Sequence, residues 1–321
     1  MKSKDLKCAS FFAGVGGIDY AFEKAGFKTI YANEIDEYAI KTYKENFSIS
    51  VDHRDICNVK ESEIPKFDIM LAGFPCQSFS IAGYRQGFSD ELGRGELFFE
   101  LERIFKKRKP KIIFLENVKN LVGHDNGNTF RVILEKLDNA GYYVKYQVLN
   151  GMTHGNIPQN RERIYIVAFR NKKIYQKFEF PKPIELKKSI KDKISFTKMV
   201  DDKFYYTEDN CNFYNILEEY VNKKTTIYQW RRIYVRENKS NVCPTLTANM
   251  GTGGHNVPII LSNKGIRKLT PRECFNLQGF PKNFKLPDIA NTRLYKQAGN
   301  SVVVSVIERI ALEIKSAIDE V

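Results

Sequence analysis

A cysteine that follows a buried strand is the residue in this sequence best placed for covalent chemistry. The apolar run 67–72 leads into Gly73-Phe74-Pro75-Cys76-Gln77-Ser78-Phe79-Ser80, and a loop with glycine, arginine and aromatic residues follows. In an open parallel sheet, ligands bind beyond the carboxyl ends of the strands, so we expect Cys76 at a reactive edge. A thiol attacks as its thiolate, which neighbouring cations favour. The alternative is an inert core cysteine beside a tight turn.

Three further residues could complete such a site. Glu116 directly follows the apolar run 112–115, so its carboxyl group is a candidate acid or hydrogen-bond partner in the same cleft. Arg161 and Arg163 stand just before another strand-like run, and they are the candidate cations near Cys76. The alternative for Glu116 is a helix-capping or surface acid.

A glycine-rich turn near the start of the chain predicts an adenosine-containing ligand. The first strand ends in Phe12-Ala13-Gly14-Val15-Gly16-Gly17, where a ligand could approach the backbone and the free N–H groups of a helix. Glu34 lies at the end of the second strand, where its carboxylate could accept hydrogen bonds from ribose hydroxyl groups. Asp55 could face an adenine amino group. The spacing G-x-G-G is not the full dinucleotide fingerprint. The pattern therefore leaves a dinucleotide, S-adenosylmethionine and a plain turn with solvated acids open.

Alternating strands and helices must position these residues. The pattern predicts strands at 7–12, 28–32, 67–72, 111–115, 142–149 and 164–169, and helices at 18–25, 36–46, 97–107 and 129–140. Such alternation favours an α/β fold with a parallel sheet covered on both faces. From about 181 to 286 the periodicity is poor, which predicts a smaller domain with little regular structure. A final apolar helix is expected to pack back onto the first domain.

The composition favours a nucleic-acid partner without requiring one. The 321 residues carry 51 basic and 38 acidic side chains, a net charge of +13. No apolar run is long enough to span a bilayer and no secretory signal is recognisable, so a cytoplasmic protein is expected. The six cysteines form no Cys-x-x-Cys pair, and neither a disulfide nor a metal site is expected.

Six motifs in order resemble those of the bacterial cytosine-C5 DNA methyltransferases, especially the short HhaI-like enzymes of restriction–modification systems. The resemblance covers nearly the whole chain. The motifs are Phe12 to Gly17, Gly73 to Ser80 with its Pro-Cys pair, Glu116-Asn117-Val118, Gln159 to Arg163, Arg267 to Glu273, and Tyr295 to Val302. Each motif alone is weak or moderate, whereas all six in order are a specific signal.

The resemblance implies a role for each candidate catalytic residue. Cys76 would attack C6 of a cytosine that has been flipped out of the duplex, and Glu116 would hold N3 and share its proton. Arg163 would contact the base carbonyl, and Arg161 would support the site. The loop after Cys76, with Arg85 and Gln86, would close over the base.

The resemblance also implies the fold and the cofactor. It predicts a Rossmann-like, S-adenosylmethionine-dependent methyltransferase fold with a mixed, mostly parallel sheet, a product S-adenosylhomocysteine and no metal. The implied cofactor contacts are Phe12, Gly14, Gly17, Glu34, Ile35, Asp55, Ile56, Pro75, Leu97, Asn300, Ser301 and Val302. Three positions depart from the family pattern. Ser10 replaces a frequent Asp, Ile35 replaces a Trp, and Ala82 stands where a close relative has Ser.

The poorly periodic segment is the expected reader of DNA. We predict a catalytic and cofactor-binding domain at 1–184, a small, irregular target-recognition domain at 185–285 and a return to the catalytic domain at 286–321. Residues 223–239 contain six basic residues and one acid among aromatic residues, and a glycine-rich segment follows. The candidate DNA-binding residues here are Arg231, Arg232, Arg236, Thr245, Asn249, Gly253 and Gly254. The alternative is a solvated charge run and a flexible loop.

Three rival functions remain open from sequence. A tRNA cytosine methyltransferase of the same fold would keep Cys76 and Glu116, but its usual Cys-Phe-Thr element is not found. A nicotinamide oxidoreductase explains only the glycine turn and Glu34, and a non-catalytic DNA-binding protein explains only the charge. The expected partner is double-stranded DNA for a monomeric enzyme of bacterial or phage origin, with a cognate restriction endonuclease encoded nearby and no membrane association.

Overall fold

Two compact units make up the chain. The computed structural model describes residues 6–75, 97–231, 233–252 and 256–321. The first unit comprises Met1–Leu149, Glu162–Lys182 and Ile307–Val321, and the second comprises Asn150–Arg161 and Pro183–Val306. This division by contacts groups 150–161 and 286–306 with the segment expected to read DNA. The functional division into domains stays a prediction.

The strands form two sheets. They are β1 (Lys7–Phe11), β2 (Lys28–Asn33), β3 (Val51–Asp52), β4 (Ile69–Gly73), β5 (Ile112–Val118), β6 (Tyr143–Asn150), β7 (Glu162–Phe169), β8 (Tyr228–Arg231), β9 (Tyr234–Glu237), β10 (Ile259–Leu261) and β11 (Ile266–Lys268). The larger sheet has the order β3-β2-β1-β4-β5-β7-β6 and the smaller β11-β10-β8-β9. In the larger sheet β1, β2, β3, β4 and β5 pair in parallel, and β7 runs antiparallel to β5. The predicted mixed, mostly parallel sheet is confirmed.

Ten α-helices lie within the described residues. They are α1 (Gly17–Lys24), α2 (Glu37–Lys44), α3 (Leu97–Arg108), α4 (Asn128–Asn139), α5 (Gly151–Gly155), α6 (Lys172–Lys177), α7 (Tyr214–Tyr220), α8 (Pro271–Leu277), α9 (Asn291–Asn300) and α10 (Val304–Asp319). Short 3-10 segments lie at Ile56–Asn58, Glu61–Glu63, Lys119–Gly127, Ile190–Asp192, Asp202–Phe204 and Ala248–Gly251. In the part of the chain that is described, no helix is long and apolar enough to cross a membrane.

The core of the first unit forms where apolar helix faces cover the large sheet. Strand β5 is buried at its first six positions, as expected for a strand covered on both faces. Helix α4 contributes Phe130, Ile133 and Leu137, whose i, i+3 and i+7 spacing places them on one helix face. These side chains join one cluster with Ile113 and Leu115 of β5. This packing fixes the carboxyl ends of the strands, where the candidate residues lie.

The second unit has more regular structure than the sequence predicted. Strands β8, β9, β10 and β11 form an antiparallel sheet, and its core includes Leu217, Tyr228 and Ile259. Each strand is only three or four residues long. Strands this short hold too few residues for an alternating pattern to be recognisable in sequence.

Candidate active site

The glycine turn after β1 leaves an open face beside its backbone. The chain turns through Phe12 (φ +53°), Gly14 (φ +57°) and Gly16 (φ +83°) before α1 begins. These values lie in the left-handed region, which glycine adopts at no steric cost. A Cβ on Gly14 would meet no atom within 4 Å, whereas one on Gly16 would lie 2.3 Å from the Phe47 ring. Gly16 therefore serves packing, and Gly14 leaves room for a ligand.

Acidic side chains line the neighbouring strand ends. Glu34 Oε2 accepts a hydrogen bond from the Gly14 N–H at 2.7 Å, and Oε1 accepts from the Ile35 and Asp36 N–H groups at 2.8 Å. Asp55 is half-buried, and its Oδ1 accepts from the Cys57 N–H at 2.9 Å. The Glu34 carboxylate thus sits directly against the glycine turn.

This edge of the sheet fits the adenosine part of S-adenosylmethionine. Glu34 and Asp55 offer acceptors for hydroxyl and amino donors. Ile35 offers apolar surface, since it is 59% exposed. Of the remaining predicted contacts in the first unit, Gly17 and Ile56 are buried, Phe12 and Leu97 are half-buried and Pro75 is exposed. In the second unit Asn300 is exposed and Ser301 and Val302 are buried.

A buried carboxylate beside the glycine turn was not predicted from the sequence. Asp19 in the first turn of α1 is fully buried and accepts hydrogen bonds from Ser10 Oγ at 2.8 Å and Tyr43 Oη at 3.0 Å. Burial raises the pKa of Asp19 to about 6, although the hydroxyl donors oppose the shift. Tyr43 also stacks on Phe47, the ring that Gly16 packs against. An acid inside the apolar stretch 18–22, together with Ser10 in place of Asp, was the available signal.

Glu116 and Arg163 meet at the carboxyl end of β5. Arg163 Nε lies 3.2 Å from Glu116 Oε1, and the two side chains are 13% and 11% exposed. The strand register explains the meeting, because Glu116 pairs with Gly73 of β4 and Val118 pairs with Arg163 of β7. A side chain on Gly73 would begin 3.5 Å from Glu116 Oε2, so glycine leaves space beside the carboxylate. The pair presents an oriented carboxyl group to that space.

Asn117 fixes the backbone that leads to the candidate nucleophile. Its Nδ2 donates to the Phe74 carbonyl at 2.8 Å, and its Oδ1 accepts from the Val118 N–H at 2.8 Å. Sequence reasoning assigned no role to Asn117 itself. Cys76 lies outside the described residues, as do Arg85 and Gln86.

Arg161 contacts backbone carbonyls inside the second unit. It is 3% exposed and donates to the carbonyl oxygens of Leu246, Gly299 and Ser301. Gln159 is fully buried, and its Oε1 accepts from the Leu246 N–H at 3.2 Å. These contacts brace the segment around Leu246 against the end of α9. They indicate an organising role for Arg161 within the second unit, and its predicted support of the catalytic site stays a prediction.

The segment predicted to read DNA is anchored at its start. Thr245 Oγ1 donates to the Asn160 carbonyl at 2.6 Å, and a Cβ on Gly299 would lie 2.1 Å from the carbonyl carbon of Thr247. Asn249 beyond this anchor is exposed. Elsewhere in the unit Arg231 and Arg236 are exposed on β8 and β9. Arg232, Gly253 and Gly254 lie outside the described residues.

Metal-ligating side chains are not clustered among the residues described. No group of three or more His, Cys, Asp and Glu side chains is arranged there to hold an ion. The cysteines described are all free, and of these only Cys57 is exposed.

Comparisons with known proteins identify the class and the family. The fold is that of a Rossmann-like methyltransferase. A crystal structure of a Spodoptera frugiperda DNMT2 mutant superposes with a TM-score of 0.75 at 22% identity, covering 97% of this chain and 99% of that one. At that identity the likeness shows the fold alone.

The sequence comparisons give the family. The model of the C-5 cytosine-specific DNA methylases matches residues 6–316. The type II methyltransferase M.Bsp6I of Bacillus sp. (strain RFL6) is 63% identical over 307 residues, 95% of this chain and 97% of that protein. The type II methyltransferase M.HhaI of Haemophilus parahaemolyticus is 39% identical over 98% of this chain and 95% of its own. The chain belongs to the C-5 cytosine-specific DNA methylase family, and is a DNA (cytosine-5-)-methyltransferase.

Proposed function

We propose that this enzyme transfers a methyl group from S-adenosylmethionine to C5 of a cytosine in a short, specific duplex DNA site, as the modification enzyme of a type II restriction–modification system. The observation that carries the proposal is the Glu116–Arg163 pair, with its 3.2 Å contact at the carboxyl edge of β5. The adjacent strand β4 leads directly to Pro75 and the Cys76 position. Full-length similarity to two type II methyltransferases supports the restriction–modification role.

The reaction requires activation of the cytosine ring, because C5 of a neutral cytosine is a weak nucleophile. The thiolate of Cys76 adds to C6 while Glu116 protonates N3, which makes C5 electron-rich. Arg163 holds Glu116 in place and contacts the base carbonyl. S-adenosylmethionine supplies an electrophilic methyl group, and its transfer to C5 leaves S-adenosylhomocysteine. A base then removes the C5 proton, the electron pair of that bond re-forms the C5–C6 double bond and expels the Cys76 thiolate, and the N3 proton returns to Glu116.

The target base must leave the duplex for this chemistry, since C5 and C6 are inaccessible within the stack. The loop after Cys76, including Arg85 and Gln86, is proposed to close over the flipped base and exclude water. Unstacking costs a few kcal/mol, which contacts to the flipped base and to the flanking DNA must offset.

The first unit is proposed to hold the adenosine of the cofactor. Glu34 accepts hydrogen bonds from the ribose hydroxyl groups, and Asp55 accepts one from the adenine amino group. Ile35 packs against the adenine ring. The open face at Gly14 admits the ligand close to the backbone. The other proposed contacts are Phe12, Gly17, Ile56, Pro75, Leu97, Asn300, Ser301 and Val302.

The second unit is proposed to read the DNA sequence. The exposed side chains of Arg231, Arg236 and Asn249 can contact phosphates or base edges. Thr245, Arg232, Gly253 and Gly254 complete the proposed set. We further propose a cytoplasmic monomer, whose cognate endonuclease is encoded nearby without forming a complex with it.

The test is transfer of a labelled methyl group from S-adenosylmethionine to unmethylated duplex DNA, with tRNA in parallel, followed by sequencing for the modified base. The proposal predicts label on C5 of cytosine within one short motif of the DNA. Label on tRNA and none on DNA would instead favour a tRNA cytosine methyltransferase. Absence of transfer to either nucleic acid, with the cofactor still bound, would contradict the proposed activity.

A further inference from the structure

A basic cavity lies where β5 begins and β7 ends, at the opposite end of these strands from Glu116 and Arg163. Its volume is about 740 Å³, and Lys109, Lys111, Arg170 and Lys172 contribute to its lining. Strand β5 begins at Ile112, so Lys111 stands at its amino end. Antiparallel pairing brings the end of β7 to the same place, where the Arg170 N–H donates to the Lys111 carbonyl at 3.0 Å. Two adjacent turns of the first unit therefore supply the cations of the cavity, and apolar side chains that include Tyr143 of β6 and Ile318 of α10 complete its lining.

Most cations of the cavity have no acidic partner among the described residues, although Lys172 Nζ lies over the Tyr143 ring, 5.9 Å from its centroid. Lys111 forms an ion pair with Asp68 at 2.7 Å. Lys109, Arg170 and Lys172 are exposed and form no ion pair within residues 6–75, 97–231, 233–252 and 256–321. Three positive charges in one concavity repel one another, and an anion bound there would relieve that repulsion.

Further cations neighbour the lining residues in sequence. The chain runs 106–111 and 170–173 together carry eight lysines and arginines and no acid. Lys106 is paired with Glu102, and Lys107 and Arg108 follow it in the last turn of α3. A basic surface of this extent matches a polyanion with regularly spaced charges better than a single small anion.

The distance from the active site defines which part of a polyanion could bind. Ile112 and Glu116 are four residues apart on β5, a rise of about 13 Å. The cavity is therefore separate from the space beside Glu116 that would hold the methylated base.

We propose that the basic cavity lined by Lys109, Arg170 and Lys172 binds the phosphate backbone of duplex DNA outside the recognition site. This inference rests on the proposed function, because it assumes that DNA is the substrate. The interaction holds the enzyme on long DNA without reading sequence, since phosphates carry no sequence information directly.

The test compares two triple variants in which the same amount of charge is removed. One replaces Lys109, Arg170 and Lys172 with Gln, and the control replaces the exposed first-unit residues Lys44, Lys60 and Lys66 with Gln. Binding to a long duplex that lacks the recognition site is measured against salt concentration. Each phosphate that a variant no longer neutralises reduces the slope of log K against log salt by about 0.9. The reduction should reach up to about 2.7 in the cavity variant, for three phosphates, and should be smaller in the control.

Two further measurements separate this proposal from its alternatives. Methyl transfer to a duplex just long enough for the recognition site should be the same, within about twofold, in the cavity variant and the parent, which also shows that the variant folds. Equal salt slopes for the cavity and control variants would overturn the proposal. So would a cavity variant that no longer binds phosphatidylglycerol vesicles while keeping its binding to long DNA. Failure of the proposed function itself would appear separately, as absence of methyl transfer by the parent enzyme.

Discussion

At the scale of single residues, the proposed chemistry depends on how Glu116 is held. Its carboxylate is almost buried, and Arg163 lies against it. A carboxylate in such a place is costly to bury unless it is paired, so the arginine both stabilises and orients it. Glu116 is therefore held in position before the target base binds. This lowers the entropic cost of reaching the transition state.

Replacing Glu116 with Gln should lower kcat by about 10²- to 10⁴-fold, because an amide cannot share a proton with N3 of the base. Affinity for S-adenosylmethionine should change little. Glu162→Gln is the matched control, since Glu162 neighbours the site in sequence but forms an exposed pair with Lys119. Labelled methyl transfer and cofactor titration measure both effects. A kcat for Glu116→Gln close to that of the control would remove Glu116 from the mechanism.

Asp19 should make the stability of the first unit depend on pH. Burial raises its pKa from 3.8 to about 6, so the folded state binds the proton more tightly than the unfolded state. The resulting stabilisation is fully present below the unfolded value and is lost as pH rises through about 6. Asp19→Asn should reduce the fall in the free energy of unfolding between pH 4 and pH 7, which urea titrations at both pH values measure. An unchanged pH dependence in the variant would contradict this account.

The sequence predicted the candidate catalytic residues but not the contacts that hold them in place. Glu116 and Arg163 were predicted by motif, and the structure brings them together. Asp19 was missed, because its burial depends on how α1 packs, and one of its hydrogen-bond partners, Tyr43, lies 24 residues away. The partners of Arg161 were equally unpredictable, since they lie 85 to 140 residues away.

At the scale of elements, the turn that leads into α1 restricts which residues can occupy positions 14 and 16. Gly14 and Gly16 both have positive φ, but only Gly16 faces the Phe47 ring. Gly14→Ala should cost about 1–2 kcal/mol through backbone strain alone. Gly16→Ala should cost a further 1–3 kcal/mol, roughly, through overpacking. Urea unfolding of the two variants measures the difference, and equal losses of stability would contradict the packing argument.

A buried ion pair between Arg267 and Glu273 lies at the start of α8 in the second unit. Arg267 is fully buried and donates to both carboxylate oxygens of Glu273 at 2.8 Å, and Glu273 also forms a capping box with Thr270. Burial alone would raise the pKa of Glu273, but Arg267 and backbone donors outweigh it and lower the pKa. The stabilisation from this group is therefore present above the unfolded pKa and is lost as pH falls through the folded value.

Glu273→Ala should destabilise the protein by about 3–5 kcal/mol, because it leaves the buried Arg267 charge unpaired. The matched control is Glu237→Ala, which removes the exposed pair with Lys223 in the same unit and should cost about 1 kcal/mol or less. Thermal and urea unfolding of both variants provide the measurement. Similar losses of stability in the two variants would show that the buried pair contributes no more than a surface one.

At the scale of the whole molecule, the order of elements was predictable and the smaller sheet was not. The strands and helices of the first unit lie within a few residues of their predicted positions, because long apolar runs and helical periodicity are local signals. Strands of three or four residues in the second unit depend on pairing between distant segments, such as β8 with β10. The net charge of +13 favoured a polyanion, but only the fold places part of that charge at the basic cavity.

The measurement that tests the central claim most directly is a search for the covalent intermediate. The substrate is a duplex with 5-fluorocytosine at the methylated position. Fluorine replaces the C5 proton whose removal would release Cys76, so the Cys76–C6 bond should persist. We predict a denaturation-resistant protein–DNA complex that requires S-adenosylmethionine, is absent in Cys76→Ser and is retained in the exposed-cysteine control Cys57→Ser. Cofactor binding by Cys76→Ser shows that the variant is folded. A complex formed equally well by Cys76→Ser, or methylation of normal DNA without any complex on the fluorinated duplex, would contradict the account.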